Sequence, residues 1–312
     1  MAYAAVATAF GGPEVLAIID VDVAQPGPGE VLLDVRAAGV NPIDAKLYSG
    51  MFGADPATLP QRLGGEAAGV VRLVGEGVTE FTPGDEVMVY PGSGTYATEL
   101  LVPVGRLTRK PTSLSWPQAA GLLLTGATAV HALTSVVVSD GETVLIHGGS
   151  GGVGLMAIQL AVARGATVIA TASAGSHDLL TELGATPIVY GPGLAERVHA
   201  LAPHGVQAAL DLVGTDEAVE TSLELVDDRS RIVTIAAFAR AAADGIVLIG
   251  GGPGADPGAE IRAAARGDLV RLIDAGELRV VIAATYPLAD VAEAHRAIMR
   301  PHAPGKIVLT VG

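Results

Sequence analysis

Gly149, Gly151 and Gly154 fit the pattern G-x-G-x-x-G, with further glycines at 148 and 152. Glycines at this spacing let a backbone approach a pyrophosphate and present N–H groups to it. The pattern alone matches many glycine-rich chains by chance, so its flanks decide its meaning. Val144-Leu145-Ile146 leads into it after the turn residues Ser139-Asp140-Gly141, as a buried parallel strand would. Beyond it Val153, Met156, Ala157, Leu160 and Ala161 recur at helical spacing as far as Arg164-Gly165, and residues 166–170 (ATVIA) read as a second strand. Strand, glycine turn, helix and strand in this order place a pyrophosphate at a helix N-terminus. Gly149, Ser150, Gly151, Gly152, Val153 and Gly154 are therefore candidate dinucleotide contacts, against the alternative of a tight turn with no ligand. Ser150 also satisfies the G-x-S-x-G spacing of a hydrolase nucleophile, through Gly148 and Gly152. The second-strand geometry and the β-rich region in front make it a phosphate contact instead.

The end of the second strand bears on which dinucleotide is held. An NAD-selective site places Asp or Glu there for the ribose 2′-hydroxyl, about 20 residues past the first glycine. Here the chain reads Thr171-Ala172-Ser173-Ala174-Gly175-Ser176-His177, with no acid before Asp178 and no Arg or Lys. The missing carboxylate favours NADP: Ser173 and Ser176 can donate to a 2′-phosphate and His177 can add partial charge. The competing reading is that these serines cap the helix beginning near His177.

Two regions are needed to carry these residues. From 1 to about 115 the chain is β-rich, with partial alternation over 17–23 and 30–37, the turn Gln25-Pro26-Gly27-Pro28-Gly29 between them, and further runs at 69–75 and 85–90. From Trp116 onward helix and strand alternate, with strands expected at 144–146, 166–170, 187–190, 208–213 and 231–236, the pattern of a doubly wound parallel sheet. Gly250-Gly251-Gly252-Pro253-Gly254 reads as a crossing loop and 305–311 as a closing strand. A length of 312 residues supports two domains with cores of their own. The chain has no cysteine, which excludes disulfides, thiol catalysis and thiolate zinc sites. Its net charge of −14 argues against nucleic acid as a partner. Apolar runs are broken well short of a membrane span and the N-terminus lacks a signal core, so a soluble, cytoplasmic protein is expected. The seven histidines are scattered without metal-binding pairs.

Ordered motifs along nearly the whole chain resemble the medium-chain dehydrogenase/reductase superfamily, in its zinc-independent quinone oxidoreductase (zeta-crystallin-like) branch. They include Gly39-Val40-Asn41-Pro42-Ile43-Asp44, Gly64-Gly65-Glu66-Ala67-Ala68-Gly69-Val70-Val71 and Phe81-Thr82-Pro83-Gly84-Asp85-Glu86-Val87. Gly94-Thr95-Tyr96-Ala97-Thr98-Glu99, Thr125-Gly126-Ala127-Thr128-Ala129, the glycine knot, Ala294-His295-Arg296-Ala297 and Gly305-Lys306-Ile307-Val308-Leu309 continue the series. The resemblance implies an α/β chain: a GroES-like β-barrel domain over 1–117, a Rossmann NADP-binding domain over 118–253, and a return over 254–312 that completes the first. It also implies an active site in the cleft between domains and a homodimer, for which edge strands of two Rossmann sheets are the expected contact.

The departures narrow the chemistry. Zinc alcohol dehydrogenases of the superfamily carry Cys where this chain has Asn41 and His where it has Gly65. Glu66 is retained, but one carboxylate makes no catalytic zinc site. Without a Lewis acid the remaining chemistry is hydride delivery from NADPH to an acceptor that is already electron-poor, a quinone or an alkene conjugated to a carbonyl. The resemblance assigns Asn41 to the cofactor or acceptor oxygen, with a turn residue before Pro42 as the alternative. Lys46 and Tyr48 are candidate proton or hydrogen-bond donors. Thr128 and Phe238 are expected at the nicotinamide end, Tyr190 beside the adenosine phosphate, and Leu212, Val213 and Gly214 as backbone contacts. A quinone reductase is the leading expectation, an enoyl or alkenal reductase the first alternative, and a dinucleotide-binding protein without turnover the second.

Overall fold

The computed structural model describes residues 1–312. The chain divides into two compact units: Met1–Leu124 with Leu269–Gly312, and Thr125–Asp268.

The first unit opens with strands β1 (Ala2–Ala7), β2 (Leu16–Val21) and β3 (Glu30–Val40), then helix α1 (Pro42–Tyr48). Strands β4 (Gln61–Arg62), β5 (Ala67–Val74), β6 (Glu86–Val89), β7 (Glu99–Pro103) and β8 (Leu107–Arg109) follow, and then the short helix α2 (Trp116–Ala120). Helix α3 (Leu123–Ser135) leads to the second unit, with β9 (Thr143–His147), α4 (Gly152–Ala163), β10 (Thr167–Thr171), α5 (His177–Glu182) and β11 (Ala185–Ile188). Next come α6 (Leu194–Leu201), β12 (Ala208–Asp211), α7 (Asp216–Leu225), β13 (Ile232–Thr234), α8 (Phe238–Asp244) and β14 (Val247–Leu248). Helix α9 (Ala259–Asp274) then leads back, and β15 (Ile282–Pro287), α10 (Val291–Ile298) and β16 (Lys306–Thr310) complete the first unit.

In the first unit, β3 is the backbone of a seven-stranded sheet of order β15-β16-β3-β5-β6-β8, with β7 also paired to β3. A three-stranded sheet, β2-β1-β4, accompanies it. Val31, Leu33, Val35, Val40, Val71, Val87, Ile307 and Leu309 meet in one buried cluster. That burial is the main driving force for this unit, at about 25 cal/mol per Å² of apolar surface removed from water.

The second unit has a six-stranded parallel sheet, β11-β10-β9-β12-β13-β14. Numbered within the unit the order is 3-2-1-4-5-6, which reverses direction between β9 and β12 and puts a ligand crevice outside the strand C-termini there. Val144, Leu145 and Ile146 are fully buried, as a strand covered on both faces requires. β11 lies at 185–188, two residues earlier than the sequence pattern suggests. Its Pro187 is tolerated because β11 is an edge strand. Tyr190 consequently stands in the loop beyond the strand.

Candidate active site

The glycine knot joins β9 to α4 at this reversal point. Gly148, at φ +79, turns the chain in the left-handed region, where a side chain is disfavoured. Its N–H donates to Thr171 Oγ1 at 3.1 Å, and the N–H of Gly149 to Thr171 O at 2.9 Å, tying the knot to the end of β10. At Gly154 a Cβ would lie 2.7 Å from the carbonyl oxygen of Gly149, so helix and turn approach more closely than any side chain permits. The N–H groups of the first turn of α4 have no partner within the helix and carry its positive dipole end. A cradle that a Cβ would fill, ending on unpaired N–H groups, fits a dinucleotide pyrophosphate.

Two buried polar groups shape the neighbouring loop. Asp211 closes β12, and its Oδ1 accepts from the N–H of Val213 at 3.1 Å and of Gly214 at 2.8 Å. Its Oδ2 accepts from Thr234 Oγ1 at 2.7 Å, and that hydroxyl accepts from the N–H of Ala236 and Ala237. Leu212, Val213 and Gly214 are thus held next to the knot, with Val213 Cγ1 2.6 Å from where a Gly148 Cβ would be. His147 is buried beside them; burial pushes its pKa down to about 4, so the ring is neutral at pH 7.

The remaining expected cofactor residues occupy defined places in the same unit. Ser173 is exposed beyond β10, and its hydroxyl lies 3.5 Å from that of the buried Ser176. His177 begins α5 with Nε2 3.4 Å from Ala172 O. The Thr128 hydroxyl, in α3, accepts from the Arg262 guanidinium at 2.9 Å, and Phe238 packs its ring where a Gly252 side chain would be.

The first unit gathers a second polar cluster. Asn41 caps α1 through reciprocal bonds with Asp44, whose Oδ2 accepts from the Asn41 N–H at 2.9 Å. Tyr96 donates to the same oxygen at 2.7 Å. Burial raises the Asp44 pKa to about 6 against these bonds, which pull it down. The Asn41 amide donates to Glu66 Oε1 at 3.2 Å and Gly39 O at 3.3 Å, and its oxygen accepts from Lys306 Nζ. Lys306 Nζ also lies 2.7 Å from Glu66 Oε1, with the two side chains 5% and 1% exposed. Glu66 Oε2 accepts from the Leu124 N–H at 2.9 Å. Gly39 leaves room for this carboxylate, since a Cβ there would press on the carboxyl carbon at 2.8 Å. Tyr48 is buried, its hydroxyl 3.0 Å from His295 Nδ1. Burial, with the Asp44 and Glu14 charges, pushes Tyr48 up to about 12. Lys46, half-buried in α1, has its pKa lowered by burial. Asn41 and Asp44 meet this cluster directly, whereas Lys306 and His295 enter it from the last strand and helix without having been singled out for a role by the sequence.

Comparison with known proteins places the chain. Residues 27–129 match the alcohol dehydrogenase GroES-like domain and 183–309 the zinc-binding dehydrogenase domain. A quinone oxidoreductase of Pseudomonas aeruginosa is 35% identical, with 96% of this chain and 97% of that protein covered. The chain belongs to the quinone oxidoreductase branch of the medium-chain dehydrogenase/reductase superfamily. Among solved structures, an NAD-dependent alcohol dehydrogenase superposes with a TM-score of 0.87 at 31% identity, covering 99% of this chain and all of that one. Quinone oxidoreductase of Escherichia coli in complex with NADPH gives 0.86 at 28% identity, with 99% of each chain covered.

This medium-chain oxidoreductase is accordingly a quinone oxidoreductase-like, NAD(P)H-dependent reductase. The metal that one domain description implies does not fit its residues. Asn41 and Gly65 stand where zinc members carry Cys and His, and Glu66 is occupied by an ammonium group. No group of three or more His, Cys, Asp or Glu residues in the chain can hold a metal ion, against the four ligands zinc takes. No helix is long and apolar enough to cross a membrane.

Proposed function

We propose that this chain is an NADPH-dependent, zinc-independent quinone reductase working as a homodimer. The observation that carries the cofactor assignment is the end of β10, where Ser173 and Ser176 occupy the place of an NAD-selecting carboxylate. The six glycine-knot residues take the pyrophosphate, with Leu212, Val213 and Gly214 along the cofactor as backbone contacts. Thr128 and Phe238 serve its nicotinamide end. Ser173, Ser176, His177 and Tyr190 take the adenosine phosphate. When bound, the reduced nicotinamide supplies a hydride to an electron-poor acceptor, and one further proton completes reduction to the hydroquinone.

Asn41 Oδ1 retains a second lone pair beyond the one given to Lys306, and we assign it to an N–H of the cofactor. Lys46, with its affinity for a proton weakened by burial, is the preferred proton donor. Tyr48 keeps its proton at neutral pH and orients the same loop through His295. The exposed edge of β14 is the contact for a second copy, which would pair an otherwise open strand.

The assignment is tested by following nicotinamide oxidation with NADPH and NADH, using a small para-quinone and a conjugated enone as acceptors in chelator-treated buffer. Faster turnover with NADPH and the quinone is expected, unchanged by chelation. Turnover with the enone alone would make the chain an alkene reductase, and dinucleotide binding without turnover on either acceptor would favour a binding role. Loss of activity on chelation would refute the zinc-free mechanism.

A further inference from the structure

We infer that Arg197 is the cation that selects for the adenosine 2′-phosphate, an inference that rests on the NADPH assignment above. The segment after β10 contains no Arg or Lys, yet a dianionic phosphate bound only by hydroxyls lacks the charge that usually accommodates it. The second unit has no lysine, and its arginines can be sorted by position. Arg164 ends α4, and Arg229 and Arg231 precede β13; all three lie at the edge where the parallel strands begin, the end away from the crevice. Arg240 is bound by the carboxylates of Asp216 and Asp244. Arg262 bonds Thr128 and His131, while Arg266 bonds the carbonyl of Ala263 in its own helix. Arg197 is the one beside the loops that follow β10 and β11.

Its geometry connects it to the expected phosphate position. β10 and β11 run parallel with Thr171 opposite Ile188, so Ser173 and Tyr190 each stand two residues past the last pair. The Ala172 N–H donates to Ile188 O at 3.0 Å and carries the register beyond the strands. Arg197 Nη2 donates to Val189 O at 2.8 Å and to Gly191 O at 3.2 Å, straddling Tyr190, and Nη1 donates to Pro192 O. Gly191 and Gly193, both at positive φ, let the loop fold around the guanidinium. Tyr190 is left 57% exposed. The three acceptors are neutral carbonyls, so the positive charge is not cancelled. Nε–H and one Nη1–H remain from the five donors of the group. The neighbouring acid, Glu196, lines the groove between α6 and α7 with Glu217, Glu220 and Glu224. Arg197 thus both holds the loop that presents Tyr190 and brings positive charge to the end of β10.

The test is calorimetric titration of the full chain with 2′,5′-ADP and 5′-AMP, in the native protein and in Arg197→Gln and Arg197→Lys. Glutamine keeps an N–H donor for the loop carbonyls but removes the charge, and lysine keeps the charge but loses the fork. The native protein is expected to prefer 2′,5′-ADP, R197Q to lose at least tenfold of that preference, and R197K to keep part of it. An unchanged preference in R197Q overturns the inference. So does an equal weakening of both ligands, which would make Arg197 a loop brace alone. A native protein that does not distinguish the two nucleotides removes the NADPH assignment and this role with it.

Discussion

Replacing Lys306 by methionine tests whether the buried ion pair organises the first unit. In the native chain Glu66 Oε1 faces an ammonium at 2.7 Å and Oε2 faces a backbone N–H. With Lys306→Met the carboxylate stays in a site 1% open to water, with only neutral donors left. Removing one partner of such a pair costs about 3–5 kcal/mol, because the survivor is a desolvated, uncompensated charge. Glu66→Gln combined with Lys306→Met removes both charges, and the amide can still accept from Leu124 and donate to the freed Asn41 oxygen. Its cost should be about 1–2 kcal/mol, in line with losing one charged hydrogen bond.

Urea unfolding followed by tryptophan fluorescence reads this directly. The chain has one tryptophan, Trp116, and it lies in the first unit. With a urea slope of about 2 kcal/mol per M, K306M should lower the midpoint by about 1.5–2.5 M, and the double variant should recover more than half of that. A loss under about 1 kcal/mol in K306M, or a double variant no more stable than the single, would refute the reasoning.

Three further outcomes follow from other parts of the molecule. Gly154→Ala gains about 1 kcal/mol of helix propensity, but its Cβ falls on the Gly149 carbonyl; overpacking of about 1–3 kcal/mol or more should win, with NADPH affinity reduced about tenfold by calorimetry. Thr234→Val leaves one Asp211 oxygen and the N–H groups of Ala236 and Ala237 without the hydroxyl they use; a loss of about 2–4 kcal/mol and faster hydrogen exchange at both amides are expected. The third concerns pH. His295, held down to about 4 by burial, takes up fewer protons folded than unfolded between pH 4 and 6.5, so its contribution is full above 6.5 and is lost as pH falls towards 4. Asp44, raised to about 6 by burial, acts oppositely: its contribution is full below 3.8 and fades as pH rises through 6. Each spans about 3 kcal/mol, so native stability should be nearly flat from pH 6.5 to 4.5. Asp44→Asn should expose the histidine as a fall of about 2–3 kcal/mol, measured as urea midpoints at the two pH values; an equally flat D44N would contradict the assignment.

The nucleotide unit is legible in the sequence because its signals are contiguous. Turn, aliphatic run, glycines, helical period and second strand follow one another from Ser139 to Ala170, and the structure keeps them in that order as β9, α4 and β10. Strands are lost where local propensity and tertiary context disagree. β1, with the sequence AYAAVA, is built largely from alanine, a weak strand former, and is held by pairing with β2 and β4. β14 has only two residues, too short for a period. The sequence closes the nucleotide domain at 253, in the glycine loop, whereas the compact units divide at Asp268/Leu269, inside α9; a helix continuing across a seam leaves no composition change to read.

The polar cluster of the first unit is hidden for a related reason. Lys306 opens a closing strand, KIVLT, and a lysine at the start of a strand ordinarily reads as a solvated end. It is buried only because β16 pairs with β3 at Val40, next to Asn41, and so brings the ammonium to Glu66. His295 belongs to an amphipathic helix whose apolar face packs inward, and the same packing delivers its ring to Tyr48. Periodicity reports which face of an element is buried, and strand register decides what the buried polar group meets there. A charge in an otherwise apolar strand is therefore worth pairing, before any fold is known, with an acid in a motif already assigned to the site. In this chain that rule joins Lys306 to Glu66, and the double-variant cycle measures whether the join is real.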